Sequence, residues 1–296
     1  MHMRQEQIFV GIDGGGTKCR ARLFSSNDVV LGTGLGGPAN PYHGQEQAQA
    51  SIVQAVEMAM KDAGLDSGVE ELIAGVGLAG VNLPSVFQAM NSWQHPFKKM
   101  YLTTDLHIAC LGAHLSDEGA VLVVGTGSCG YSYVNGKALM IGGHGFTCGD
   151  QGSGAWMGLT AVRAVLLAHD GLGPKTNLSN LIERHLGVSG EIIVDKLGAA
   201  KSSDFAELAQ FVFEAAEHGD EIATRILREG ADYLSGVADK LWQSNPGRMS
   251  LIGGLSERIT PWLKPSVTAN LSSPISQPEF GAVYFAKQGY TFDSLK

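Results

Sequence analysis

The run Ile8-Phe9-Val10-Gly11-Ile12-Asp13-Gly14-Gly15-Gly16-Thr17-Lys18-Cys19-Arg20-Ala21-Arg22-Leu23-Phe24 decides the fold. Its two apolar arms read as strands and its glycines as the turn, which predicts a β-hairpin with an all-glycine tip. Three glycines let successive backbone N–H groups turn toward one point without Cβ interference, and such a nest attracts anions. Thr17 adds a hydroxyl donor and Lys18 a point charge. Asp13, at the strand end, can hold a magnesium ion through water, since hard cations prefer oxygen. Taken alone, the turn is equally well a plain tight hairpin.

Working outward, the same arrangement returns. Ala120–Val124 is strand-like, Gly125-Thr126-Gly127-Ser128-Cys129-Gly130 is a second glycine and hydroxyl turn, and Tyr131–Val134 is strand-like again. Asn135-Gly136 adds a type I′ hairpin signal. Two such hairpins, each opening a half of the chain, suggest internal duplication and fit a clamp on a polyphosphate.

Between them, residues 46–63 carry Ile52, Val53, Val56 and Met60 at helical spacing, with Gly64 where a C-cap belongs. Leu72–Gly80 and Met100–Thr104 read as strands, and residues 105–115 as a helix, so the half up to about residue 117 is an α/β layer. A weak hairpin starts at Val29, and Gly32–Tyr42 reads as a loop. The second half is mostly helical, over 153–169, over 204–218 with Asp204 as N-cap and Glu207 completing a capping box, and over 220–243. Met249–Ile252 is a strand ending in Gly253-Gly254, and a short helix covers about 279–288.

Composition narrows the function classes. Glycine is 40 of 296 residues, about twice the usual share, with no collagen period. The net charge of −8 argues against nucleic acid and anionic membrane as partners. No apolar run approaches the roughly 18 residues of a membrane span. The polar start, Met1 to Gln7, does not read as a signal peptide. Cys19, Cys110, Cys129 and Cys148 form no C-x-x-C pair and read as reduced thiols, so a cytoplasmic location is expected.

Further motifs carry chemistry. Thr103-Thr104-Asp105 puts a carboxylate at a strand C-terminus, where ligands of α/β sheets collect and where it can take the proton of an attacking hydroxyl. The bland alternative is an N-cap. Gly142-Gly143-His144-Gly145 and Gly149-Asp150-Gln151-Gly152-Ser153-Gly154 form a glycine-rich loop ahead of a helix. There Asp150 is either a cap, with Ser153, or an acceptor for sugar hydroxyls. Asn40 lies in a rigid loop between Pro38 and Pro41. Gly253 and Gly254 can lie flat against an adenine or ribose, although alone they read as a plain strand-to-helix turn. Gly75-x-Gly77-x-x-Gly80 fits a dinucleotide fingerprint but reads as chance, because Asn82-Leu83-Pro84 interrupts the helix it needs. Neither G-x-x-x-x-G-K-[S/T] nor H-E-x-x-H occurs.

The order DGGGT, TTD, GTGS, GG-x-G, GDQGSG and IGG along nearly the whole chain resembles the actin-like sugar kinases. It is most similar to the N-acetylglucosamine and glucosamine kinases of the BadF/BadG/BcrA/BcrD ATPase superfamily. The resemblance implies an α/β protein of two ribonuclease-H-like (actin-like ATPase) domains with a cleft between them, residues 1–117 plus about 280–296 and residues 118–279. It implies ATP and Mg2+ as cofactors, held by Gly14, Gly15, Gly16, Thr17, Lys18, Gly125, Thr126, Gly127, Ser128, Gly253 and Gly254, with Asp13 reaching the metal through water. Asp105 matches the catalytic base. Asn40, Gly143, His144, Gly145 and Asp150 match amino-sugar contacts.

Members acting on N-acetylglucosamine can carry Trp where this chain has His144, so both sugars stay open as acceptors. The expected reaction moves the γ-phosphoryl of MgATP to O6 of a small-molecule amino sugar. A homodimer is admitted, with no surface assigned to it. Two alternatives on this fold are an ATPase activator of a dehydratase, which would need cysteines around an iron–sulfur cluster, and a non-catalytic sugar-binding protein.

Overall fold

A computed structural model describes residues 7–66 and 68–295; the polar stretch 1–6 lies outside the described residues. In chain order the strands and helices are β1 (Phe9–Gly14), β2 (Cys19–Phe24), β3 (Val30–Gly36), α1 (Gln45–Asp62), β4 (Ile73–Leu78), α2 (Pro84–Asn91), β5 (Lys99–Thr104) and α3 (Asp105–His114). Then come β6 (Gly119–Val124), β7 (Ser128–Val134), β8 (Lys137–Gly142), α4 (Gly154–His169), α5 (Asn177–Leu186), α6 (Ile192–Leu197), α7 (Ser202–Glu217) and α8 (Glu221–Trp242). The series ends with β9 (Met249–Ile252), α9 (Ser256–Ile259), α10 (Pro265–Thr268) and α11 (Pro278–Ser294). The chain divides into two compact units, one running to Gly119 and resuming at Pro274, the other Ala120–Ser273. The return at Pro274 falls earlier than the residue 280 read from the sequence.

The first unit holds a five-stranded sheet in the order β3-β2-β1-β4-β5. β1 pairs antiparallel with β2 and parallel with β4, and β4 pairs parallel with β5. The hairpin closes with Gly14 opposite Cys19 and the Gly15 N–H on the Lys18 carbonyl at 3.0 Å. One sheet face packs on α1 through Val10, Ile12, Leu23, Ile52 and Val56, all fully buried. Each such side chain stabilises the unit by about 1.5–3 kcal/mol relative to exposure.

The other face has little side chain near its centre. A Cβ on Gly11 would lie 1.8 Å from the Glu279 carbonyl oxygen, and one on Gly75 would lie 1.9 Å from that of Ala282. Glycine is therefore what lets α11 rest directly on β1 and β4. Gly281 and Gly112 make the same kind of contact where α11 meets α3.

Three readings change here. Gly32, Gly34 and Gly36 belong to β3, not a loop. Cβ atoms there would lie 2.0–2.3 Å from the carbonyls of Ala59, Ala55 and Ser51, so alternate glycines let α1 lie on an edge strand. Gly75-x-Gly77-x-x-Gly80 is a packing motif rather than chance. Gly77 faces Ile108 of α3, and Gly80 has φ +84° against Asn40. The last helix is 17 residues long and starts at Pro278, in the N1 position that proline favours.

The second unit repeats the first four positions of that sheet order, as β8-β7-β6-β9, with β6 parallel to β9. Asn135 and Gly136 both have positive φ, 51° and 73°, as a type I′ turn requires. The core is built from Leu122, Met157, Leu208, Val212, Leu227 and Leu234. Asp204 is not the N-cap of α7. That position is Lys201, whose backbone N–H donates to the Asp204 carboxylate at 2.7 Å, so only the reach-back half of a capping box is present. Among the described residues no helix is long and apolar enough to cross a membrane.

Candidate active site

In the first unit, three parallel strands end in register, since Gly14 pairs with Leu78 and Leu78 with Thr104. Their carboxyl ends, where α/β sheets place ligands, carry Asp13 and the glycine turn after β1 and Asp105 after β5. The turn is tied from behind, as the Ala79 N–H donates to the Gly14 carbonyl and the Ala39 N–H to that of Gly15, both at 2.9 Å. Gly14 is packed, because a Cβ there would meet Leu78 at 2.4 Å. A Cβ on Gly16 would meet nothing within 4 Å, and one on Gly15 nothing closer than 3.7 Å. The space before Gly15 and Gly16 is thus open, and Thr17 and Lys18 are exposed beside it.

Asp105 does not cap α3. Thr104 does, its Oγ1 accepting from the His107 N–H at 3.1 Å. The Asp105 carboxylate accepts from the Leu106 N–H at 2.9 Å, and burial raises its pKa. Burial also pushes Asp13 up to about 7, helped by the charges of Glu279 and Asp105 and opposed by Arg20 and Lys18. Glu279, delivered by α11, is the residue sequence reading missed. Its position inside an ordinary helix carried no signal; only the fold brings it to Asp13. Asn40 sits beside the same turn. Its Oδ1 accepts from the Tyr42 N–H at 3.0 Å, which leaves its NH2 group without a hydrogen bond among the described residues.

Hard oxygen donors with spare acceptor capacity suit Mg2+, which keeps most of its waters and takes one or two carboxylates plus phosphate. Asp13 and Glu279 fit that description, the latter with a buried Oε2 that has no partner. Among the described residues no three His, Cys, Asp or Glu side chains gather into a closed metal cage.

In the second unit the turn after β6 gathers the remaining candidates. The Gly125 N–H closes on the Gly127 carbonyl at 2.9 Å, and the first N–H groups of α4 donate to the carbonyls of Gly125 and Thr126. Gly254 is the nearest neighbour a Gly125 Cβ would have, at 3.8 Å, and around Gly254 the space is open. Gly253 needs its glycine, with φ +105° and a Cβ position 2.4 Å from the Val124 carbonyl. Thr126 is exposed at the tip. Ser128 is 3% exposed and donates to the Gln151 carbonyl at 2.8 Å, so its hydroxyl ties the two loops together rather than facing a ligand.

Asp150 is held in the left-handed region, φ 57°, and is 9% exposed. Its Oδ1 accepts from the Gly145 N–H at 3.3 Å, and a Gly127 Cβ would come within 2.7 Å of Oδ2. Burial raises its pKa, while the Gly145 and Ser128 backbone and the nearby His144 favour the ionised form. Ser153, not Asp150, caps α4, accepting from the Trp156 N–H at 3.2 Å. The carboxylate is left for another use. Tyr233 of α8 stands half-buried by Gly142, within reach of the Asp150 charge. Gly143 and His144 form the exposed rim of this loop, with Gly145 half-buried beside them. Of the cysteines, Cys19 and Cys110 are buried and Cys148 is exposed.

The sequence profile of the BadF/BadG/BcrA/BcrD ATPase family matches residues 10–286. The glucosamine kinase GspK of Vibrio cholerae is 37% identical over 279 residues, 94% of this chain and 95% of that protein. The N-acetyl-D-glucosamine kinase of Dictyostelium discoideum is 31% identical over 86% of each chain. Among solved structures, a Chromobacterium violaceum protein described as a candidate N-acetylglucosamine kinase superposes with a TM-score of 0.89. It is 29% identical and covers 95% of this chain and 99% of that one. A ROK family glucokinase from Streptomyces griseus shares the fold at 19% identity and a TM-score of 0.53, over 95% of this chain and 98% of its own.

Proposed function

The chain belongs to the BadF/BadG/BcrA/BcrD ATPase family, and from that premise we propose that it is an ATP-dependent amino-sugar kinase, moving the γ-phosphoryl of MgATP to O6 of glucosamine or N-acetylglucosamine. What supports this reading is that each unit carries an open glycine turn after a strand, and that the first unit adds a half-buried carboxylate, Asp105, at a neighbouring strand end. Phosphoryl transfer asks the protein for alignment and charge stabilisation more than for covalent chemistry.

Backbone N–H groups of Gly16, Thr17 and Lys18, and of Thr126 and Gly127, with the Thr126 hydroxyl, bind phosphate oxygens, and the open backbone of Gly253 and Gly254 receives the adenosine. Magnesium, when bound, neutralises charge on the phosphates, and Asp13 is the residue to hold it through water. Asp105, its pKa raised by burial, orients the 6-hydroxyl and accepts its proton as the oxygen attacks. Asp150 accepts from sugar hydroxyls, Asn40 donates through its free NH2, and the 143–145 rim lies beside the 2-substituent. The names of the Vibrio and Dictyostelium relatives support an amino sugar as the acceptor class.

A coupled ADP-release assay over glucosamine, N-acetylglucosamine, glucose and no sugar tests this. The expected result is release stimulated by one or both amino sugars, with a 6-phosphate as product. Release independent of every sugar would overturn it.

A further inference from the structure

Glu279 is a carboxylate that the fold does not use. It is 2% exposed, and its Oε2 is buried with no hydrogen-bond partner. No ion pair involving it forms among the described residues. It caps nothing, since the N-cap of α11 is Gln277, without a side-chain bond. Taking a carboxylate out of water without partners is costly, and a glutamine of the same shape would avoid much of that cost. The helix dipole in the first turn of α11 offsets part of it.

Its location is specific. The Glu279 backbone lies directly on Gly11, two residues before Asp13 on the same face of β1. Gly11 pairs with Arg22, and Asp13 with Arg20. Glu279, Arg20, Arg22 and Thr33 line a cavity of about 320 Å³, in which the Arg22 Nε is also buried and unpartnered. Two carboxylates and two guanidiniums therefore stand close together without Glu279 or Arg22 closing an ion pair.

Resting on the nucleotide reading above, we infer that Glu279 is a positioning residue of the nucleotide–metal site: beside Asp13, it gives the hydrated magnesium of MgATP a second buried carboxylate, carried in by the C-terminal helix.

Calorimetry on the full chain without turnover tests this. MgADP is compared with ADP in EDTA, for wild type, Glu279→Gln and Glu279→Asp. The wild type should bind MgADP more tightly than ADP alone. In Glu279→Gln that advantage should shrink by about 10- to 100-fold, the range for loss of a residue that supports a metal from behind its ligands. Binding of ADP in EDTA and of glucosamine should be unchanged, with a melting temperature no lower than wild type, and Glu279→Asp should recover part of the advantage.

An unchanged magnesium advantage in a folded Glu279→Gln overturns the inference, as does an equal loss with and without metal. A melting temperature several degrees lower also overturns it, by assigning the charge to the fold. If the wild type shows the metal effect but no sugar-dependent ADP release, the kinase reading fails while this inference stands.

Discussion

Asp105 is the first residue of α3, with the neighbouring Leu106 N–H fixing one oxygen and burial lifting its pKa. A positioned base is worth about 10²–10⁴-fold, so Asp105→Asn should lower kcat by about that factor while calorimetry still shows sugar and nucleotide binding. Near wild-type turnover would remove Asp105 from the role. Asp13 gives a pH prediction. Its folded pKa, about 7, lies above its ordinary value of 3.8. A raised carboxylate favours the folded state most below 3.8, and that advantage drains away as pH rises to 7. Each unit is worth about 1.4 kcal/mol at most. In the absence of nucleotide, Asp13→Asn should therefore melt progressively higher than wild type between pH 4 and 7, and the gap should level off above pH 7. A gap independent of pH would show that Asp13 is not perturbed. Both residues were legible in the sequence because each follows a strand and precedes a glycine turn or a helix. Glu279 was not, because nothing local distinguishes a glutamate in the first turn of a helix from a solvated one.

At the scale of elements, the two glycine hairpins and α1 followed from local pattern alone. Strand alternation, turn chemistry and helical spacing all agreed there. β3 did not, because its three alternate glycines remove the side chains by which strands are recognised. Their reason lies in α1, whose backbone they touch. α5 and α6 escaped for a different reason: they are short, with few residues fully buried to mark a core face. The close approach of α1 to β3 makes Gly34→Ala informative. Its Cβ would fall 2.0 Å from the Ala55 carbonyl oxygen, a backbone atom that cannot rotate away. Forced overpacking of this kind costs about 1–3 kcal/mol. Urea unfolding should show that loss, and an unchanged midpoint would mean that α1 shifts freely on the sheet.

On the scale of the whole molecule, the first unit is discontinuous in sequence, built from the chain up to Gly119 and the segment from Pro274. α11 covers the glycine face of β1 and β4 and packs Val283 and Ala286 against Phe9, Phe24 and Ile73. A chain ending at Ser273 would leave that face bare, with no side chains to fill it. Such a truncation should lose the cooperative unfolding of the first unit, seen as collapsed amide exchange protection over β1, β4 and β5. The second unit, whose residues are continuous, should keep its protection. Retained protection in β1 would show that the helix is dispensable.

Asp150 holds a left-handed backbone that glycine would adopt without strain. A laboratory selection that rewarded only survival of heating, with no acceptor in the medium, would therefore be expected to drift toward glycine at 150 and amides at 13 and 279. Its winners would be sturdier proteins emptied of their chemistry, so any thermostabilisation campaign should carry an activity screen from the first round.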